Sequence, residues 1–156
     1  MNLEKISHSI AIFSNLGVLA GIVFLGVEIQ QNTKMTQAQT RDAMTEKQMA
    51  FYELVSTDTE AARLYDEIGG FPLERTPEQL RFEWIVRSQF RMWENEWYQY
   101  QQGLFEPEEF LPRMELWRGI LTNSDEYKRL WDVWRNQHAP DFAEKIDSIF
   151  AEAELN

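Results

Sequence analysis

The apolar positions fall into two regimes. From Ile10 to Val27 they follow one another as Ile-Ala-Ile-Phe-Ser-Asn-Leu-Gly-Val-Leu-Ala-Gly-Ile-Val-Phe-Leu-Gly-Val, with no charged residue before Glu28. After Glu28 they recur at helical spacing among charged neighbours. The first regime is apolar all round, as a helix surrounded by lipid is. About 18 residues at roughly 1.5 Å each span about 27 Å, and Ile6 and Ile29 extend this to the roughly 30 Å of a hydrocarbon core. A transmembrane helix within residues 1–29 is therefore predicted. Two rivals are a core helix of a soluble protein and a signal peptide, since Lys5 gives a weakly positive start and Val18-Leu19-Ala20 imitates a cleavage site. Cleavage there would leave Gly21 to Val27 as a strongly apolar new terminus, which argues for an uncleaved anchor.

No Gly or Pro occurs between Glu28 and Val55, so the helix is expected to continue. Residues 30–43, rich in Gln, Asn and Thr, read as a polar helical stalk with almost no apolar face. Met44, Phe51, Leu54 and Val55 then predict a side packed into a soluble domain over 44–156.

Five further helices follow from start, stop and stripe signals. Thr57-Asp-Thr-Glu60 reads as a capping box with Thr57 as the cap. Ala61, Leu64, Tyr65 and Ile68 form the stripe behind it, and Gly69-Gly70 and Pro72 form the stop, with Phe71 and Leu73 tucked onto the core. Thr76-Pro-Glu-Gln79 opens the longest soluble helix, whose stripe is Phe82, Val86, Phe90, Trp93, Trp97, Tyr100 and Leu104, with Gly103 at the C-terminal cap. Leu80, Trp84 and Tyr98 lie off that stripe, so this helix is expected to be sandwiched between neighbours. Pro107 opens the next helix, with Phe110, Leu111, Met114, Trp117, Ile120 and Leu121 inward. Asn123-Ser-Asp-Glu126 caps one carrying Tyr127, Leu130, Trp131 and Trp134. Pro140 starts the last, with Phe142, Ala143, Ile146, Ile149, Phe150 and Ala153 inward. No segment alternates as a strand does. The expected fold is all-α: an N-terminal transmembrane helix continuing as a stalk into a small bundle of about five further helices.

Charge and composition narrow the function classes. The 156 residues carry a formal net charge of -11, so nucleic acid is not an expected partner, and no basic patch offsets the bulk. With 0 Cys, thiolate catalysis, disulfides and Cys-based metal sites are excluded. The 6 Trp, 5 Tyr and 10 Phe supply far more aromatic surface than a disordered acidic chain would have. No phosphate loop, nucleophile elbow or Glu-x-x-His pair is present, and Glu94 and Glu96, two apart, face different sides of a helix. His138 reads as a helix-end residue. No cofactor, metal or catalytic residue is expected.

Two groups of residues remain. Arg91, Glu94, Asn95, Tyr98 and Gln99, flanked by Arg87 and Gln102, form a polar patch on the long helix. It is either a ligand or partner site beside aromatic walls, or a set of local pairs that satisfy a half-buried helix; the second is the commoner use of such groups. Ser14, Gly17 and Gly21 form a small-residue stripe in the span through which two such helices could pack. Lys5 is offset by Glu4 in a short tail that is easily translocated, which places the soluble domain on the cytoplasmic side.

The span running into Val27-Glu-Ile-Gln-Gln-Asn-Thr33, together with Trp93-Glu-Asn-Glu-Trp-Tyr-Gln-Tyr-Gln-Gln-Gly-Leu104, resembles an uncharacterised bacterial family of small proteins with one N-terminal transmembrane helix and a compact all-helical soluble domain. Relatives often carry a basic residue near Gln30-Gln31, where this chain has none. The resemblance implies a single-pass protein of a bacterial inner membrane and assigns no activity. The expected partners are the lipid bilayer through Ile10 to Val27, an unidentified protein, and further copies of the chain as a homo-oligomer. The expected role is a non-catalytic interaction or scaffold module. The alternative is a small-molecule or lipid sensor whose pocket is walled by Trp93, Trp97 or Trp117.

Overall fold

The computed structural model describes the backbone of residues 3–69 and 75–154, and side chains at 13–65, 67 and 75–153. Six α-helices account for it, in the order α1 (Leu3–Thr57), α2 (Thr59–Gly69), α3 (Pro77–Gln101), α4 (Pro107–Thr122), α5 (Asp125–Trp134) and α6 (Pro140–Glu154), with a 3₁₀ turn at Arg135–Gln137 between the last two. No strand occurs among the described residues, and the all-α fold with five helices after the first is as expected. The chain divides into two compact units, residues 1–37 and 38–156.

The first unit is one helix. Every residue from Phe13 to Gln37 is exposed, and the helix is long and apolar enough to cross a membrane. Thr33 and Thr36 donate their hydroxyls to the carbonyls of Ile29 and Asn32, one turn back, so these side chains satisfy themselves on their own helix. The side chains of Glu4, Lys5, Ile6 and Ile10 lie outside the described residues.

The second unit takes in the end of α1 and all the later helices, and α3 is its axis. Thr76 accepts from the Gln79 N–H at 3.2 Å while Gln79 Oε1 accepts from the Thr76 N–H at 2.9 Å: the capping box starts α3 as predicted. At the other end Gly103 takes φ +69°, the left-handed conformation glycine adopts without a Cβ clash. Bonds from Gly103 N to Tyr100 O and from Leu104 N to Gln99 O complete a Schellman closure.

One face of α3 builds an aromatic core with α4, α5 and α6. Val86, Phe90 and Trp93 pack there with Phe110, Trp117, Leu130, Trp131, Phe142 and Ile146. Trp93 stacks on Trp117 with centroids 5.5 Å apart, and Phe90 lies 4.9 Å from Trp131. Trp131 donates to Asp147 at 2.8 Å, which is how an indole N–H at a core boundary is satisfied. The opposite face holds a smaller cluster of Tyr52, Val55, Ala62, Leu80 and Trp84, contributed by α1, α2 and α3. α3 is therefore sandwiched, as the off-stripe Leu80 and Trp84 predicted.

Several predicted faces are rotated or shortened. On α1, Met44, Phe51 and Leu54 are exposed, whereas Ala38, Tyr52 and Val55 are buried; of the four expected core residues only Val55 is inside. The side of α1 that is buried follows what it meets: polar groups of α3 from Ala38 to Asp42, and Leu80 and Trp84 of α3 with Ala62 of α2 at Tyr52 and Val55. Burial on α1 thus begins at Ala38, inside the stretch read as a stalk. Asp58, and not Thr57, caps α2: its carboxylate accepts from the N–H groups of Glu60 and Ala61 at 2.9 and 3.1 Å, while Thr57 bonds back to Glu53 O. Glu60 turns outward to Arg63. On α2, among the described side chains, Ala62 is buried, Ala61 is half-buried, and Leu64 and Tyr65 are exposed. The side chain of Ile68 and the stretch Gly70 to Leu73, including Phe71 and Pro72, lie outside the described residues. Phe82, Leu104 and Leu111, at the ends of their stripes, are exposed, and Ala153 is half-buried. Ser124 occupies the cap position of α5 without a side-chain bond, and Asn123 instead donates to Gly119 O at 2.6 Å.

Candidate functional site

The predicted patch on α3 is real as a cluster, and its centre is Glu94. This carboxylate is buried, with its side chain 9% exposed, beside the 2%-exposed side chain of His138. His138 follows the 3₁₀ turn, lies against the rings of Phe90, Trp131 and Phe142, and donates Nδ1–H to Glu94 Oε2 at 2.9 Å. The Ala139 N–H, ahead of α6, donates to Oε1 at 2.8 Å. Arg91, one turn earlier on α3, donates to Oε2 at 2.7 Å and to Gln137 O at 2.8 Å. Arg41 of α1 stands 3.8 Å from Oε1. Burial pushes the Glu94 carboxyl up, but the bonds from His138, Ala139 and Arg91 and the His138 charge overcome it, holding Glu94 down at about 2. This carboxylate is ionised and saturated with donors.

The other predicted members lie on the side of α3 that meets α1. Asn95 donates to Asp42 at 2.9 Å, Gln99 donates to Ala38 O at 3.4 Å, and the Arg41 guanidinium sits 4.1 Å over the Tyr98 ring. Asn95 Oδ1 is buried there without a hydrogen-bond partner, as is Arg91 Nε beside the Glu94 node. Arg87 bonds Gln137 and lies over Trp84 and Trp134 at 5.4 and 5.3 Å, joining the two apolar clusters. The patch thus splits into a sealed node at Glu94 and a polar seam at Asn95, Tyr98 and Gln99.

Arg41, Asp42 and His138 belong to this arrangement and were not singled out for it. Their partners are 44 to 53 residues away in sequence, so no helical spacing marks them. Only the position of His138, one turn beyond Trp134 on a buried stripe, hinted that its ring would be inside.

Further ion pairs fasten the bundle. Glu83, also buried, is held by Arg75 and Arg129. Glu96 faces away from Glu94, as their spacing predicted, toward Arg113 at 2.7 Å; burial raises its pKa, with the Arg113 charge and bond opposing. No cluster of three or more His, Asp or Glu residues that could hold a metal ion occurs among the described residues.

On the apolar part of α1, Ser14, Gly17 and Gly21 are all exposed, and a Cβ added at either glycine would meet nothing within 4 Å. Among the described residues the stripe is open along the helix. No family model, curated protein or solved structure matches this chain.

Proposed function

We propose that the chain is a single-span membrane protein whose helical domain acts as a non-catalytic interaction or scaffold module. The observation that carries this reading is the uninterrupted exposure of Phe13 to Val27, with Phe13 74% and Val23 66% exposed. A core helix would be mostly buried, and a contiguous apolar surface of this size in water promotes aggregation. Lipid is the solvent that suits it. The reading extends to a bacterial inner membrane with the second unit on the cytoplasmic side, in keeping with the family resemblance.

The interaction role rests on the chemistry of the second unit. Its best polar cluster is consumed by its own partners: Glu94 accepts from His138, Ala139 and Arg91, which leaves no free base or acid at that point. A pocket walled by Trp93 and Trp117 is not favoured, because these rings stack on each other and are 2% and 1% exposed. Photo-cross-linkers at exposed positions such as Met44, Leu116 and Val133 in native membranes test the role. A defined adduct with a protein, or with a second copy, is expected. Absence of any adduct at all three positions would contradict an interaction module. Protease added to spheroplasts should spare the second unit; digestion from outside would reverse the orientation.

A further inference from the structure

We propose that the Ala38–Thr45 stretch of α1 is a hinged clasp, which closes on α3 through the polar seam and opens about the apolar cluster of Tyr52, Val55, Ala62, Leu80 and Trp84. The inference concerns the second unit alone and holds whether or not the first unit enters a bilayer.

The two ends of this α1 segment are attached by different physics. At Tyr52 and Val55 the helix is held by burial, at 4% and 2% exposure, in a cluster that includes Trp84. Separating these groups would expose apolar surface to water, which opposes it strongly. Along Ala38 to Thr45 the small side chain of Ala38 is buried, and the attachments include the Gln99 bond to Ala38 O at 3.4 Å, the Arg41 bond to Glu94 O at 3.4 Å, the Arg41 guanidinium over Tyr98, and the Asn95 bond to Asp42. Contacts of this kind are exchanged for water at little net cost. Two of them sit at the long limit of a hydrogen bond, and Asn95 Oδ1 stays unsatisfied while the seam is closed. Opening hydrates this atom.

Opening also leaves the rest of the domain intact. Arg41 is the most distant of the charged partners of Glu94, at 3.8 Å, whereas His138, Ala139 and Arg91 bond it at 2.7 to 2.9 Å. When Arg41 departs, Glu94 retains three donors and the junction between α5 and α6 stays closed. The side of α3 bearing Asn95, Tyr98 and Gln99 is then uncovered, and Arg41 is released as a free cation. The predicted polar patch becomes a surface that the clasp shows or hides.

Distances between spin labels on the full chain in detergent micelles test this, and the absence of native cysteine allows labels at chosen pairs. Met44→Cys with Met92→Cys reads the seam, and Glu53→Cys with Ile85→Cys reads the pivot; all four positions are exposed. The seam pair should show a main short distance and a minor longer one, and the pivot pair a single distance. Asn95→Asp sets a carboxylate against Asp42 and should raise the longer population about tenfold, with Arg41→Ala acting in the same direction. The pivot distance and the far-ultraviolet circular dichroism should stay unchanged. A single narrow seam distance in the parent chain and in both variants would overturn the clasp, and so would equal broadening at both pairs.

Discussion

The two units use apolar side chains in opposite ways. From Phe13 to Val27 the leucines, valines, isoleucine and phenylalanines face outward, whereas from Val86 to Phe150 fifteen residues close on one another as a core. Similar hydrophobicity therefore has two outcomes, decided by pattern. In the first unit apolar groups occupy every side of one helix, so no rotation can hide them within the chain. In the second they recur every three or four residues, and each helix hides one stripe against its neighbours. An outward apolar surface needs a different solvent, and an inward one supplies its own.

Substitutions can break this contrast from either side. The largest effect is expected in the aromatic core. Trp117→Ala removes a 1%-exposed ring stacked on Trp93 and in edge contact with Phe110 and Phe142, and should lower stability by about 3–5 kcal/mol. Denaturant unfolding followed by tryptophan fluorescence in micelles measures it, and a loss under about 1 kcal/mol would mean the core is not packed as described.

Acid should reach the polar node next. The Glu94 carboxyl is held at about 2 against an ordinary 4.5, so its charge stabilises the fold above pH 4.5 and that contribution is lost as pH falls toward 2. The difference corresponds to about 3 kcal/mol. In Glu94→Gln that part of the acid sensitivity should vanish, and an unchanged stability profile between pH 4.5 and 2 would refute the assignment. Leu19→Arg tests the first unit. A charge near the middle of the span should oppose insertion by about 2.5–3.5 kcal/mol and reduce the membrane-bound fraction. Gly103→Ala, at φ +69° with open space around the added carbon, should cost about 1–2 kcal/mol, from backbone strain and not from a clash.

Local signals survived into the structure best. Thr76 with Gln79, and Gly103 after Gln102, mark the two ends of α3, because a cap depends on residues within one turn of each other. The stripes of α5 and α6 were legible for the same reason. The buried side of α1 was not. Met44, Phe51 and Leu54 are its more apolar choice, yet Ala38 faces inward where α3 offers Asn95 and Gln99, and Tyr52 faces inward against Leu80 and Trp84. The candidate site was half legible: Arg91 and Glu94 pair at the predicted spacing of three. Asn95 and Tyr98, also three apart on this helix, turn to Asp42 and Arg41 on a different one. His138 completes the node from 44 residues away, a contact no periodicity announces.

Alkaline carbonate extraction of membranes from cells expressing the full chain decides whether the outward apolar helix is embedded in lipid. The chain should remain in the membrane pellet after extraction, with its N-terminal segment uncleaved by intact mass. Release into the carbonate supernatant, or an N-terminus beginning after Ala20, would contradict the account.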